Sequence, residues 1–182
     1  MPTTAIDTAV PAGTWQLDTL HSHAGFAVKH AVVNTFRGEF KDIAATLEAG
    51  EDGSVTLTGT VQVASIAIDD PNLKGHLMAP DFFAADEFPT ITFTSRSFTK
   101  TGSELVVVGD LTMKGSKQRV EGRGEIAEPT EDLYGNTRVG VSVETKIDRT
   151  AFGIDWNAPL PKGGFALANE VKLTLELAFV RA

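Results

Sequence analysis

The chain is 182 residues long, 42% hydrophobic and 22% charged, which is the composition of one globular domain and excludes a disordered or fibrous protein. Acidic residues outnumber basic ones by 24 to 16, for a formal charge of −8, so a nucleic-acid backbone and an anionic membrane surface are excluded as electrostatic partners. Cysteine is absent, which removes disulfides, thiolate nucleophiles and cysteine-ligated metals together.

The first thirteen residues, Met1 to Gly13, lack the basic start and the apolar run of about 7–15 residues that an export signal needs. They are expected to form a flexible N-terminal segment (1–13) ahead of one folded domain (14–182). No stretch of about 18 apolar residues occurs anywhere in the chain, and the expected location is the cytoplasm.

From Thr14 onward the dominant pattern is alternation with a period of two, the mark of strands with one dry and one wet side. Thr14–Asp18 is a short first candidate. Between Ser22 and His30 the even positions carry Ala24, Phe26, Val28 and His30, and a third candidate runs over Phe36–Leu47. Val55, Leu57, Gly59, Val61 and Val63 alternate with polar residues, as do Ile91, Phe93 and Ser95. Leu105, Val107, Gly109, Leu111 and Met113 form the next stripe, followed by Val120–Ala127, then Val139, Val141 and Val143. Val171, Leu173, Leu175, Leu177 and Phe179 close the chain. About nine strands are predicted, separated by short turns rich in Gly, Asp and Asn that suit antiparallel pairing.

Two stretches break the rhythm. Asp69-Asp70-Pro71-Asn72 predicts a capped short helix with Leu73 and Leu77 on one face, followed by a turn at Asp81-Phe82-Phe83. Asp148–Ala168, with Phe152, Trp156, Pro159 and Gly163-Gly164, predicts a helical turn and a long loop of the kind that lines binding sites. The fold class predicted is all-β: an antiparallel up-and-down barrel of about eight strands, with one or two short helices. Closure removes the exposed edges that a sandwich would leave, and glycines inside the strands suit the bends of a barrel. The inward stripes are so apolar that any ligand held inside would itself be long and apolar.

Several motifs occur in series: Trp15-x-Leu17-Asp18-x-x-His21-Ser22, Phe26-x-Val28-x-His30, Gly38-x-Phe40 and Gly75-His76-Leu77-x-x-x-Asp81-Phe82-Phe83. Further on stand Phe88-Pro89-x-Ile91-x-Phe93-x-Ser95, Gly109-x-Leu111-Thr112-x-Lys114-Gly115, Ile147-Asp148-Arg149-x-x-Phe152-Gly153-Ile154 and Asn169-Glu170-Val171. In this order they resemble the YceI-like family from about Gly13 to the C-terminus. The resemblance implies a lipocalin-like barrel that holds a polyisoprenoid or an isoprenoid quinone in a hydrophobic tunnel. It implies no other cofactor, and family analogy adds a homodimer as a candidate assembly. The chain departs from the family pattern at Met78-Ala79-Pro80, where an Arg-Ser pair is common, and at Ala151, where an acidic residue often precedes Phe152.

Candidate wall residues of the tunnel are Phe26, Val28, Phe40, Phe93, Met113, Val141, Leu173 and Leu175. Leu77, Phe82, Phe83 and Phe152 are candidates for the mouth. His30 continues the inward register of Phe26 and Val28 and is expected to be partly buried, either as a satisfied neutral imidazole or as a hydrogen-bond partner of a polar ligand end. His21 and His23, two apart, are expected to point to water, and no metal site is predicted. Asp148 and Arg149 read as an ion pair fixing the Phe152 turn. Lys114, Lys117, Arg119 and Arg123 read as a solvated basic hairpin, with capture of a lipid phosphate as the sharper alternative. No nucleophile elbow, phosphate-binding loop or dinucleotide fingerprint is present.

The leading functional expectation is a non-enzymatic protein that sequesters or carries a long isoprenoid lipid. Two alternatives stand beside it: an enzyme that modifies an isoprenoid or quinone with His30 as acid or base, and a packed barrel that serves as an interaction module without ligand.

Overall fold

A computed structural model describes residues 10–182. Its strands are β1 (Gly13–Leu17), β2 (His23–His30), β3 (Asn34–Phe40), β4 (Ile43–Ala49), β5 (Val55–Gln62), β6 (Thr90–Thr101), β7 (Glu104–Met113), β8 (Ser116–Ile126), β9 (Thr130–Glu131), β10 (Thr137–Asp148) and β11 (Leu167–Arg181). One α-helix, α1 (Pro71–Met78), interrupts them. All pairings are antiparallel. β1, β4, β5, β6, β7, β8, β10 and β11 follow one another around a ring that closes where β11 returns to β1. The result is the expected eight-stranded, lipocalin-like barrel.

The hairpin β2–β3 extends two of these staves. β11 pairs with β1 at Phe179–Arg181 and with β2 along Leu167–Glu176, so β1 and β2 lie end to end on one edge. The break between them is a 3-10 turn, Thr19–His21. The Asp18 carboxylate accepts the Leu20 amide, while the Ser22 hydroxyl donates to the Asp18 carbonyl and accepts the Ala178 amide. Polar groups freed by the kink are thus taken up by neighbouring side chains. The predicted strand Phe36–Leu47 is likewise two, β3 and β4, separated at Lys41-Asp42. β6 contains a bulge between Ser95 and Ser97. There the Ser95 hydroxyl accepts the Leu57 amide, and the inward face passes from Phe93 to Phe98.

One end of the barrel is solid. Trp15, Leu47, Leu105, Val139 and Phe179, all within 2% of complete burial, interlock there with Val10, Phe98 and Ile126. The Trp15 indole donates to the Pro11 carbonyl, and the Arg181 guanidinium covers its ring at 5.2 Å. Residues 1–9 of the predicted flexible segment lie outside the described residues. Val10 to Ala12 are fastened instead: Val10 is buried, and the Ala12 carbonyl accepts from Arg181.

The opposite end is covered by the two irregular stretches. After β5 the chain leaves the sheet through a 3-10 turn at Val63–Ser65 and enters α1. The Asp70 carboxylate accepts the amides of Asn72 and Leu73, and Pro71 occupies the first turn, where its missing amide costs nothing. The second cover begins with a 3-10 turn at Arg149–Phe152, which is closed by Gly153 in the left-handed region, φ 76°. Lys114 fastens the two covers together by donating to the carbonyls of Pro80 and Gly153.

Candidate functional site

Between the solid end and these covers lies a cavity of about 620 Å³, within the range of pockets that hold a single organic ligand. Its wall is built by the inward stripes of the strands and is almost entirely hydrocarbon. The floor is formed by Leu57, Val107, Val141 and Leu177, which belong both to the cavity wall and to the packed cluster beneath it. Val141 and Ile147 both line it, so along β10 alone it extends over six residue steps, or about 20 Å at ~3.3 Å per strand residue.

Close packing around the hollow depends on aromatic rings laid over glycines. The Phe26 ring covers Gly38 on the neighbouring strand, and the Phe93 ring covers Gly109. A Cβ at Gly109 would stand 2.5 Å from both the Phe93 ring and the Thr94 carbonyl, so only glycine admits the ring. Phe26 in turn packs against Phe36 and Phe40, with ring centroids 6.1 and 5.8 Å apart, and Phe40 meets Phe83 edge-on.

Twelve of the thirteen candidate residues lie in the cavity wall: Phe26, Val28, His30, Phe40, Leu77, Phe82, Phe83, Phe93, Met113, Val141, Leu173 and Leu175. Phe152 is not part of that wall. It is buried in the core beneath the Arg149–Phe152 turn, because a residue in a helical turn follows no strand register. His30 has the predicted inward parity but is exposed. It is the last residue of β2, beyond the covered depth, and its Nδ1 lies 3.3 Å from the Asn34 Oδ1. Phe82 and Phe83 both reach the cavity because they sit on a turn and not on a strand.

The Asp148–Arg149 ion pair does not form. Asp148 caps the following turn, accepting the Thr150 amide and hydroxyl, which holds its carboxyl below the usual range. Arg149 turns inward, is 4% exposed, and donates to the carbonyls of Ala168, Ile154 and Trp156. Burial pushes its pKa down. Position 149 continues the odd-numbered inward series Val139, Val141, Val143 and Ile147, and that parity was the signal available in the sequence. His76 and Trp156 are further wall residues that the sequence reading did not single out. With Phe82 they form an aromatic cluster, with ring centroids 4.9 to 5.4 Å apart, in which His76 meets both other rings edge-on, and His76 Nε2 stands 3.5 Å from Asp81. His76 follows Leu73 by three residues, so the helical face of Leu73 and Leu77 was the signal available for its packing.

The remaining candidates are surface structure. His21 pairs with Asp18 at 2.7 Å and His23 with Glu39 at 2.9 Å, from a turn and a strand and not from a shared face. Among the described residues no three histidines or carboxylates converge on a metal position. The basic hairpin is dispersed: Lys114 bonds carbonyls, Arg119 approaches Asp110, and Arg123 pairs with Glu104 and Glu121. Neither Ala151 nor Met78-Ala79-Pro80, where the chain departs from the family pattern, contributes to the wall.

Similarity to known proteins agrees with this architecture. The chain is 34% identical over 168 residues to a UPF0312 protein of Staphylococcus aureus (strain USA300), an alignment covering 89% of this chain and 94% of the relative. The crystal structure of Burkholderia cenocepacia BcnA superposes with a TM-score of 0.75 at 22% identity, covering 89% of this chain and 98% of that one. A polyisoprenoid binding domain from Saccharophagus degradans, implicated in plant cell wall breakdown, superposes with a TM-score of 0.68 at 11% identity, covering 92% and 98%. No helix among the described residues is long and apolar enough to cross a membrane. The model of the YceI-like domain matches residues 15–179, nearly the whole barrel, and the chain belongs to the YceI-like family.

Proposed function

We propose that this protein binds, and so sequesters or carries, one long apolar chain of isoprenoid type, a polyisoprenoid or an isoprenoid quinone. The observation that carries this reading is the 620 Å³ apolar hollow above a solid floor. The description of the Saccharophagus degradans neighbour as polyisoprenoid binding supports the choice of lipid class. A barrel acting only as a packed interaction module has no use for such a space. The cavity accommodates about 20 groups of carbon size at ~30 Å³ each, and a longer chain continues into the mouth. Moving each methylene out of water contributes about 0.8 kcal/mol gross. Net affinity for ligands of this size is closer to ~0.3 kcal/mol per atom. Twenty buried atoms then give about 6 kcal/mol, a dissociation constant of tens of micromolar, which suits a carrier that releases its cargo.

Catalysis by His30 finds no support in its surroundings, since its ring partner is the amide of Asn34 and not a carboxylate. The test is organic extraction of the purified protein followed by mass spectrometry. A stoichiometric prenyl lipid is the expected result. A protein that yields no lipid and takes up none from prenol- or quinone-containing vesicles overturns the reading.

A further inference from the structure

We infer that the buried guanidinium of Arg149 anchors the polar end of the ligand, and that the preferred ligand is a chain ending in an anionic oxygen group of carboxylate type. This rests on the carrier reading and adds the head to the tail.

Arg149 has five N–H groups. Three are used: Nε on the Ala168 carbonyl at 2.9 Å, and Nη1 on those of Ile154 and Trp156 at 2.8 and 2.9 Å. These bonds fix the side chain in the wall of an apolar cavity. Nη2 is shielded from solvent and has no acceptor. An unpaired donor in such a place is costly to leave unmade, and more so when it carries charge.

A second arginine on the same strand shows what a purely structural one looks like in this barrel. Arg138, at the solid end of β10, donates Nη1 to Asp18 at 2.7 Å and Nε to Asp132 at 2.6 Å, so its charge is compensated twice. Arg149, at the other end, forms no ion pair among the described residues. Asp148, its sequence neighbour, is spent on the Thr150 turn. The cation beside the cavity is therefore fixed in position and desolvated; Asp148 and Asp155 act on it only through space, no carboxylate bonds it, and the two N–H groups of Nη2 stand without an acceptor.

The chemistry selects among heads. A hydrocarbon leaves the guanidinium as it is, and an amine adds a second positive charge beside it. An ester or ketone oxygen accepts one hydrogen bond but supplies no charge. A carboxylate does both, and charge-assisted bonds of this kind are the stronger class. A phosphate brings a second negative charge that a single guanidinium leaves uncompensated.

The experiment compares four probes of equal chain length by displacement of diphenylhexatriene from the intact protein: geranylgeranoic acid, its methyl ester, geranylgeraniol and the parent hydrocarbon. The acid is expected to bind about ten-fold or more tightly than the hydrocarbon, with the ester and alcohol between them. In Arg149→Met the four should converge to within about two-fold. Equal affinity of acid and hydrocarbon in the unaltered protein overturns the inference and leaves the carrier reading standing. Failure of all four, the hydrocarbon included, overturns both. Should Arg149→Met fail to fold for want of its three carbonyl bonds, the ranking in the unaltered protein decides alone.

Discussion

The two ends of β10 run through different kinds of interior. Around Val139 the barrel is filled: Trp15, Leu47, Leu105 and Phe179 meet in one fully buried cluster. Around Ile147, at the other end of the same strand, equally apolar side chains face one another across a hollow. Composition does not distinguish the two halves, since both are Val, Leu, Ile and Phe. The difference is volume. Trp15 occupies the lower half, whereas in the upper half Gly59 holds a place where a larger residue would reach inward, and the Phe26 and Phe93 rings lie over Gly38 and Gly109. A barrel of one width thus becomes a core at one end and a container at the other.

The sharpest way to break this contrast is to fill the container. Gly59 shares the inward parity of Leu57 and Val61, and a Cβ there would meet only ordinary contacts, 3.5 Å to the Ala44 carbonyl and 3.8 Å to the Ala45 Cβ. Gly59→Trp is expected to abolish co-purification of lipid while the far-ultraviolet circular dichroism and the thermal midpoint stay close to those of the parent. Leu173→Trp acts from another strand of the same wall. The same change at Val141 is less informative, because Val141 is also locked into the packed cluster, and overpacking there costs stability.

Next in size is the cost of carving each half. Leu47→Ala, in the solid end, should destabilise by about 2–5 kcal/mol because it opens a new void. Leu173→Ala only enlarges an existing space and should cost about 1–2 kcal/mol. Urea unfolding of the lipid-free proteins measures both, and equal costs would mean that the hollow collapses when empty.

The smallest effect concerns acid. The Arg138 guanidinium, with His21 beside it, lowers the Asp18 pKa from 3.8 to about 2, and Arg138 lowers Asp132 as well. A carboxyl with a depressed folded-state pKa contributes stability that is fully present above its ordinary pKa and is lost as pH falls through the folded value. The solid end should therefore weaken between about pH 4 and pH 2. Arg138→Gln should flatten that part of the profile, read as the urea midpoint at each pH, while leaving the lipid site unchanged.

How much of this was legible in the sequence follows from parity. β7, β10 and β11 announce themselves because one face of each is apolar along most of its length, and in β7 that face is buried from Leu105 to Met113. Breaks in the barrel also leave a trace. The inward residues are odd at Trp15 and Leu17, even at Ala24, Phe26 and Val28, even at Phe36 and Phe40, and odd again at Ile43 and Leu47. Each change of parity marks a kink, and the change from Phe93 to Phe98 marks the β6 bulge. Phe36–Leu47 contains such a change and could have been divided on that basis. Parity tells which side a residue faces but not how deep it lies, which is why His30 faces inward yet stands in the open. Nor does it reach residues off the strands, such as Phe152, His76 and Trp156. Arg149 was hidden for another reason: a charged side chain was assumed to seek its acidic neighbour, when register already pointed it at the lumen.

The filled end around Trp15 makes the container a cul-de-sac. A chain of the kind proposed would enter past the covers that Lys114 ties together, and with the Trp15 end filled the first carbon to enter would be the last to leave.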